Sequence, residues 1–252
     1  MVETKKILIL TDSRGKRLDE LLFRHFKKRS DLRLYIQVRV YAGATLGNIR
    51  DKIARLRKNQ DLIIVLAGIC NFTQKERLNN KKLLTYPEGT NKLEKAVEEV
   101  DNLITKTCLV ATITPASLEA YAKQNNREDS SLPDQSNDQR RLFEDLDKIN
   151  LHIKGTSKDR EAQIINLAKL AFKNSRKKRG KKHKTIYNFE KKELPDGVHL
   201  SKVLRKSWAR NIAVAIEKFF EKKPVKHTQE TTDSSEEEEQ KDTGNFKRAA
   251  NK

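Results

Sequence analysis

A handful of residues in this chain have the types and placement that acyl transfer requires. Ser13, within Thr11-Asp12-Ser13, follows an apolar run near the start, and Asp196-Gly197-Val198-His199 lies far downstream. A serine hydroxyl is a poor nucleophile until an imidazole takes its proton. The imidazole in turn needs an acid to fix its tautomer and to stabilise the imidazolium that forms. An Asp three residues before a His reaches the ring from a short loop, so Ser13, His199 and Asp196 make a candidate catalytic set. The oxyanion of a tetrahedral intermediate needs donors fixed in place. The backbone N–H groups of Ser13 and Gly43 and the Asn71 amide would supply three. Singly, each residue has a plainer reading: Asp-Ser as a helix cap, Gly43 as a turn, Asn71 as a loop cap, Asp196 and His199 as a solvated turn. His25, His152, His183 and His227 take that plainer reading outright.

The elements that must position these residues follow from periodicity. Lys5–Leu10, Leu34–Tyr41, Asp61–Ala67, Cys108–Ile113 and Gln163–Leu167 read as five strands, the third apolar throughout and therefore central. Between them run helical repeats: Leu18, Leu21, Leu22, His25 and Phe26; Leu46, Ile49, Ile53 and Leu56; Leu93, Ala96, Val97, Val100, Leu103 and Ile104; Leu142, Leu146, Ile149 and Ile153. A last helix carries Leu204, Trp208, Ile212, Ala215 and Phe219, with Ser201 as its cap. Strands alternating with helices predict an α/β fold, a five-stranded parallel sheet covered on both faces. Ligands in such sheets bind beyond the C-terminal strand ends, where Ser13, Gly43 and Asn71 fall.

In order and content these blocks resemble the SGNH (GDSL-like) hydrolase superfamily. Thr11-Asp12-Ser13 looks like its Gly-Asp-Ser block, Gly43 like its second-block glycine, Gly68-Ile69-Cys70-Asn71 like its Gly-x-Asn-Asp, and Asp196-Gly197-Val198-His199 matches its Asp-x-x-His without a gap. The resemblance spans roughly residues 5–221. It implies a flavodoxin-like three-layer sandwich and an esterase acting on a small-molecule, lipid or carbohydrate ester without metal or cofactor. Similar domains occur in retroelement-encoded proteins. Two departures stand out: Thr11 replaces a glycine, and Asn71 sits one residue late, with Phe72 where an Asp usually follows.

Charge adds a second theme. Lys and Arg number 54 against 35 Asp and Glu, a net +19 in 252 residues. Residues 222–252 hold seven basic and seven acidic side chains and almost no large apolar ones, so they read as a disordered, neutral tail beyond a domain at 1–221. Residues 173–184 concentrate eight cations in twelve positions, a density that favours an exposed basic loop. Arg176, Lys177, Lys178, Arg179, Lys181, Lys182 and Lys184 are its candidate polyanion contacts, for nucleic acid or an anionic membrane surface. The competing reading is a catalytically degenerate module of the same fold that binds nucleic acid; a third is an interaction module in which Asp12 and Ser13 merely cap a helix. Residues 123–139 are polar and fit either a substrate lid or a long loop. No apolar run reaches a membrane span, and MVETKK lacks the pattern of a signal peptide. Cys70 and Cys108 suit reduced thiols rather than a disulfide or zinc site, so an intracellular setting is expected.

Overall fold

The computed structural model describes residues 3–27, 29, 32–56, 59–78, 80–87, 91–126, 132–179, 182–189 and 193–221, with backbone alone over 172–179 and 182–189. In chain order the elements are β1 (Lys5–Thr11), α1 (Leu18–Phe26), β2 (Leu34–Val40), α2 (Leu46–Leu56), β3 (Leu62–Leu66), β4 (Gln74–Leu78), β5 (Lys81–Thr85), α3 (Lys92–Leu103), β6 (Cys108–Val110), α4 (Leu118–Asn125), α5 (Ser136–Asp159), α6 (Ala168–Ala171), β7 (Phe172–Arg179), β8 (Lys182–Phe189) and α7 (Lys202–Glu221). These residues belong to one unit, Met1–Glu221; the tail at 222–252 lies outside the described residues.

β1, β2, β3 and β6 form a parallel sheet in the order β2-β1-β3-β6. Alternate residues of each strand face opposite layers. Leu8, Leu10, Ile63, Val65 and Val110 pack with Ile49 and Ile53 of α2, Val100 of α3 and Leu146 and Ile149 of α5. Ile7, Ile9, Ile64 and Leu109 pack with Leu18 and Leu22 of α1 and Trp208 and Ile212 of α7. Burying one such side chain contributes about 1.5–3 kcal/mol, more than helix propensity supplies. The two apolar sheet faces therefore decide where the helices lie.

The sheet has four strands, not the five expected. Gln163–Leu167 contributes one parallel bridge, Ala111 to Ile165, at the place where a fifth strand would stand. Thr112 ends the pairing there. Its N–H donates to the Ile165 carbonyl, while its Oγ1 contacts Asn166 Oδ1 and accepts the Ala168 N–H, which turns the chain into α6. Beyond β6 a side chain of α5 replaces the missing ladder. Buried Asn150 accepts from Ile113 N–H at 2.6 Å and donates to its carbonyl at 2.9 Å.

Two antiparallel hairpins add to the sheet. β4 and β5 pair from Gln74–Thr85 to Leu78–Lys81. β7 and β8 pair from Phe172–Phe189 to Arg179–Lys182. Residues 173–184, expected to be a loop, are thus mostly strand; the adjoining Thr185, Ile186, Tyr187 and Phe189 supply the β-forming residues that charge repulsion alone did not weigh. The side chains of 173–184, including every candidate polyanion contact there, lie outside the described residues. Of residues 123–139, the ends belong to α4 and α5. Among the described residues no helix is long and apolar enough to cross a membrane.

Candidate functional site

At the C-terminal edge of the sheet the segments after β1, β2 and β3 and the loop before α7 enclose a cavity of about 430 Å³. Ser13, Gly43, Cys70 and His199 line it, with Arg14, Lys75 and Tyr121.

The segment after β1 is built around a buried ion pair. Arg14 Nε and Nη2 grip the Asp12 carboxylate at 2.7–3.1 Å, and Nη1 donates to the Thr114 carbonyl and hydroxyl at 2.8 and 2.7 Å. Trp208 of α7 stacks on the guanidinium, 5.9 Å from its ring centroid. Asp12 Oδ1 also accepts the Arg14 N–H at 2.9 Å and so caps the 3-10 turn Ser13–Gly15. The helix-cap reading is therefore right for Asp12, and that cap leaves Ser13 on the cavity wall. Thr11 is accommodated because its side chain takes the space beside Gly15, where a Cβ would meet Thr11 Cγ2 at 2.2 Å.

The downstream block is fixed from both ends. Buried Leu194 and Leu200 anchor its flanks in the α1–α7 layer. Gly197, at φ +78°, lies against the start of α4, where a Cβ would meet the Ser117 carbonyl oxygen at 2.3 Å; its own carbonyl accepts the Ser117 N–H at 2.7 Å. This turn aims His199 Nδ1 at Asp196 Oδ2, 2.5 Å away, while Asp196 Oδ1 accepts the N–H groups of His199 and Val198 at 2.6 and 3.0 Å. Burial pushes the Asp196 carboxyl up, but the hydrogen bonds from the His199 ring and the two backbone N–H groups outweigh it and hold the group below its ordinary value. A carboxylate only accepts hydrogen bonds, so Nδ1 carries the proton of this contact, and in the neutral ring Nε2 is then the nitrogen that can act as a base.

Two residues that line the cavity have backbone donors without a partner among the described residues. Among the described residues neither Ser13 N–H nor Gly43 N–H is hydrogen-bonded. Gly43 adopts φ +74° with open space where a Cβ would stand, so glycine serves the backbone conformation there and not a tight fit. Ser13 Oγ likewise has no hydrogen-bond partner among the described residues, and it shares the cavity with His199.

Asn71 is placed elsewhere. Gly68, at φ +126° and closed in by Ile113, leads into the 3-10 turn Ile69–Asn71. This turn puts Cys70 on the cavity wall and carries Asn71 to the start of α2, where its Oδ1 accepts the Leu46 N–H at 2.9 Å. The block thus reads without an insertion: Cys70 stands at the Asn position of Gly-x-Asn-Asp and Asn71 at the Asp position. Burial and the nearby Asp12 carboxylate raise the Cys70 thiol, against the opposing pull of Arg14 and Lys75.

Several site residues carry little or no mark in the sequence. Arg14 is the neighbour of Ser13, and a cation two residues after Asp12 was the available signal. Lys75 of β4 and Tyr121 of α4 meet across the cavity, Nζ lying 5.9 Å from the ring centroid; nothing in their spacing marks them. The plainer reading of other histidines fits His25, on Glu217 at 3.1 Å, and His152, on Asp101 at 2.8 Å. The side chains of His183 and His227 lie outside the described residues.

No protein-family model matches this chain, and no curated protein matches it. Solved structures do. A lipase/acylhydrolase from Enterococcus faecalis is 13% identical with TM-score 0.57, covering 85% of this chain and 96% of that one. An acetyl xylan esterase is 16% identical with TM-score 0.53, covering 84% and 99%. A GDSL-like lipase from Bacteroides thetaiotaomicron is 14% identical with TM-score 0.52, covering 85% and 88%. The strand order, the layers and these likenesses agree: the chain has the fold of the SGNH (GDSL-like) hydrolases.

Proposed function

We propose that this protein is a serine-dependent carboxylic-ester hydrolase. Ser13 is the nucleophile, His199 the base, Asp196 the group that orients it, and the Ser13 and Gly43 N–H groups the oxyanion donors. The observation that carries this reading is the Asp196–His199 pair, set on the same cavity as Ser13 with its free basic nitrogen. In the first half-reaction Ser13 Oγ attacks the ester carbonyl carbon while His199 Nε2 takes the hydroxyl proton. The carbonyl oxygen becomes an oxyanion on the two N–H groups. Collapse expels the alcohol, protonated by His199, and leaves an acyl-serine. Water then repeats the sequence, losing its proton to His199 and releasing the acid. Asp196 remains ionised throughout and stabilises the imidazolium. The cavity also bears Ile69, Leu84 and Val198, an apolar wall suited to an acyl chain of modest length. The similar solved structures, two lipases and an acetyl xylan esterase, favour the same bond type.

The hole in this reading keeps two backbone donors. Asn71, expected as a third, does not line the cavity and turns its Oδ1 to the Leu46 N–H, and a Cys70 thiol is a weak donor. Such a loss lowers the rate by on the order of 10²–10³, so turnover is expected to be slow. Hydrolysis of p-nitrophenyl acetate and butyrate tests the assignment. Ser13→Ala and His199→Ala should each lose about 10³-fold or more in kcat/KM; wild-type rates in either variant would remove that residue from the mechanism.

A further inference from the structure

A second pocket, of about 400 Å³, lies between one face of α1 and the first turns of α7 and is lined by Arg17, Arg24, Lys202, Arg205 and Lys206 with Leu21 and one carboxylate, Glu20. Among the described residues none of the five cations is in an ion pair. Arg205 donates from Nη2 to the Leu200 carbonyl at 3.1 Å, but its Nε is buried without a partner.

The local sequence works against helix stability here. Lys202, Arg205 and Lys206 crowd the first turns of α7, which has no acidic residue in its first turn. Cations at a helix N-terminus oppose the helix dipole, and like charges four apart repel. Arg17 holds a left-handed backbone, φ +66°, and gives α1 no side-chain cap. Strain and like charge gathered at one pocket mark a place kept for a ligand rather than for stability. An anion would complement the charge of this lining. Arg17 follows Ser13 by four residues and Lys202 follows His199 by three, so the two catalytic segments run directly into the pocket walls.

We propose that this pocket docks the phosphodiester backbone of a nucleic acid strand. Its concave wall places five cations around one volume, which suits a phosphate-bearing chain entering a groove and not the plane of a bilayer. Among the described residues no aromatic side chain lines it, so the strand is held by its phosphates and its base sequence goes unread. The site is separate from the hydrolase assignment, and binding by Ser13→Ala protein keeps the two distinguishable.

Fluorescence anisotropy of the full chain with labelled oligothymidylate tests the proposal. The variant Arg17→Gln/Arg24→Gln/Lys202→Gln/Lys206→Gln should bind at least about tenfold more weakly, with a salt slope shallower by about 0.7 for each phosphate no longer neutralised. Arg17→Gly guards against misfolding, because glycine adopts the left-handed backbone freely. Its melting temperature should hold or rise while affinity falls severalfold. Unchanged affinity and slope in both variants would overturn the proposal. So would wild-type protein that ignores the oligonucleotide and binds only phosphatidylserine vesicles.

Discussion

The segments after β1 and β3 lie side by side on the sheet, and each departs from the pattern of the block it resembles, at Thr11 in the first and at Cys70 and Asn71 in the second, yet the departures have different consequences. After β1, Thr11 replaces a glycine and the surroundings absorb it. Its side chain fills the space left by Gly15, its hydroxyl contacts the Leu66 carbonyl oxygen at 3.2 Å, and the Asp12–Arg14 pair holds the turn that presents Ser13. After β3, Cys70 and not Asn71 lines the cavity, and the side-chain amide on the cavity wall is that of Gln74, one strand further on. The first segment thus keeps Ser13 on the cavity wall with altered residues around it, while the second changes which side chain it brings there.

The largest expected effect falls on the compensation itself. Arg14→Leu strands the buried Asp12 carboxylate, and breaking such a pair costs about 3–5 kcal/mol. Thermal unfolding should register a fall of roughly 10 °C; a shift of a degree or two would mean that the ion pair is not what holds the turn. Next comes Gly15→Ala, whose Cβ collides with Thr11, at a cost of about 1–3 kcal/mol. Thr11→Gly should restore much of that stability in the double variant, and simple additivity would remove the proposed compensation.

A smaller effect, of opposite sign, is expected after β3. Cys70→Asn places an amide on the cavity wall and should raise kcat for p-nitrophenyl esters by about tenfold, part of what one oxyanion donor is worth. No gain would show that the hole is complete without it. The smallest effect concerns pH. Because the Asp196 carboxyl is held below its ordinary value in the fold, the stability it contributes is present above the usual Asp range. It declines as pH falls through the depressed value. Asp196→Asn should therefore flatten the acid limb of the unfolding curve, and an unaltered limb would mean that the pair with His199 contributes no linkage.

What was legible in the sequence follows the range of the interactions involved. β1 and β3 are continuous apolar runs, and each main helix repeats its buried residues at 3.6 spacing, so their places needed no partner to define them. Asp196 and His199 interact across three residues through one turn, which a local motif captures. Cys70 and Asn71 differ by one step of a 3-10 turn, and only the direction of that turn separates cavity from helix cap. Strand five fails because its register with β6 ends at Thr112, a long-range pairing with no local sign. The clustering of Arg17 and Arg24 with Lys202, Arg205 and Lys206 likewise exists only once α1 and α7 pack together.

Reaction with a fluorophosphonate probe, read by intact mass and peptide mapping, tests the central claim most directly. The probe phosphonylates a serine only when a base activates it and an oxyanion site receives the phosphonyl oxygen. The account predicts one adduct, on Ser13, absent from His199→Ala protein that remains folded. Wild-type protein that stays unmodified, or an adduct on a different serine, would contradict it.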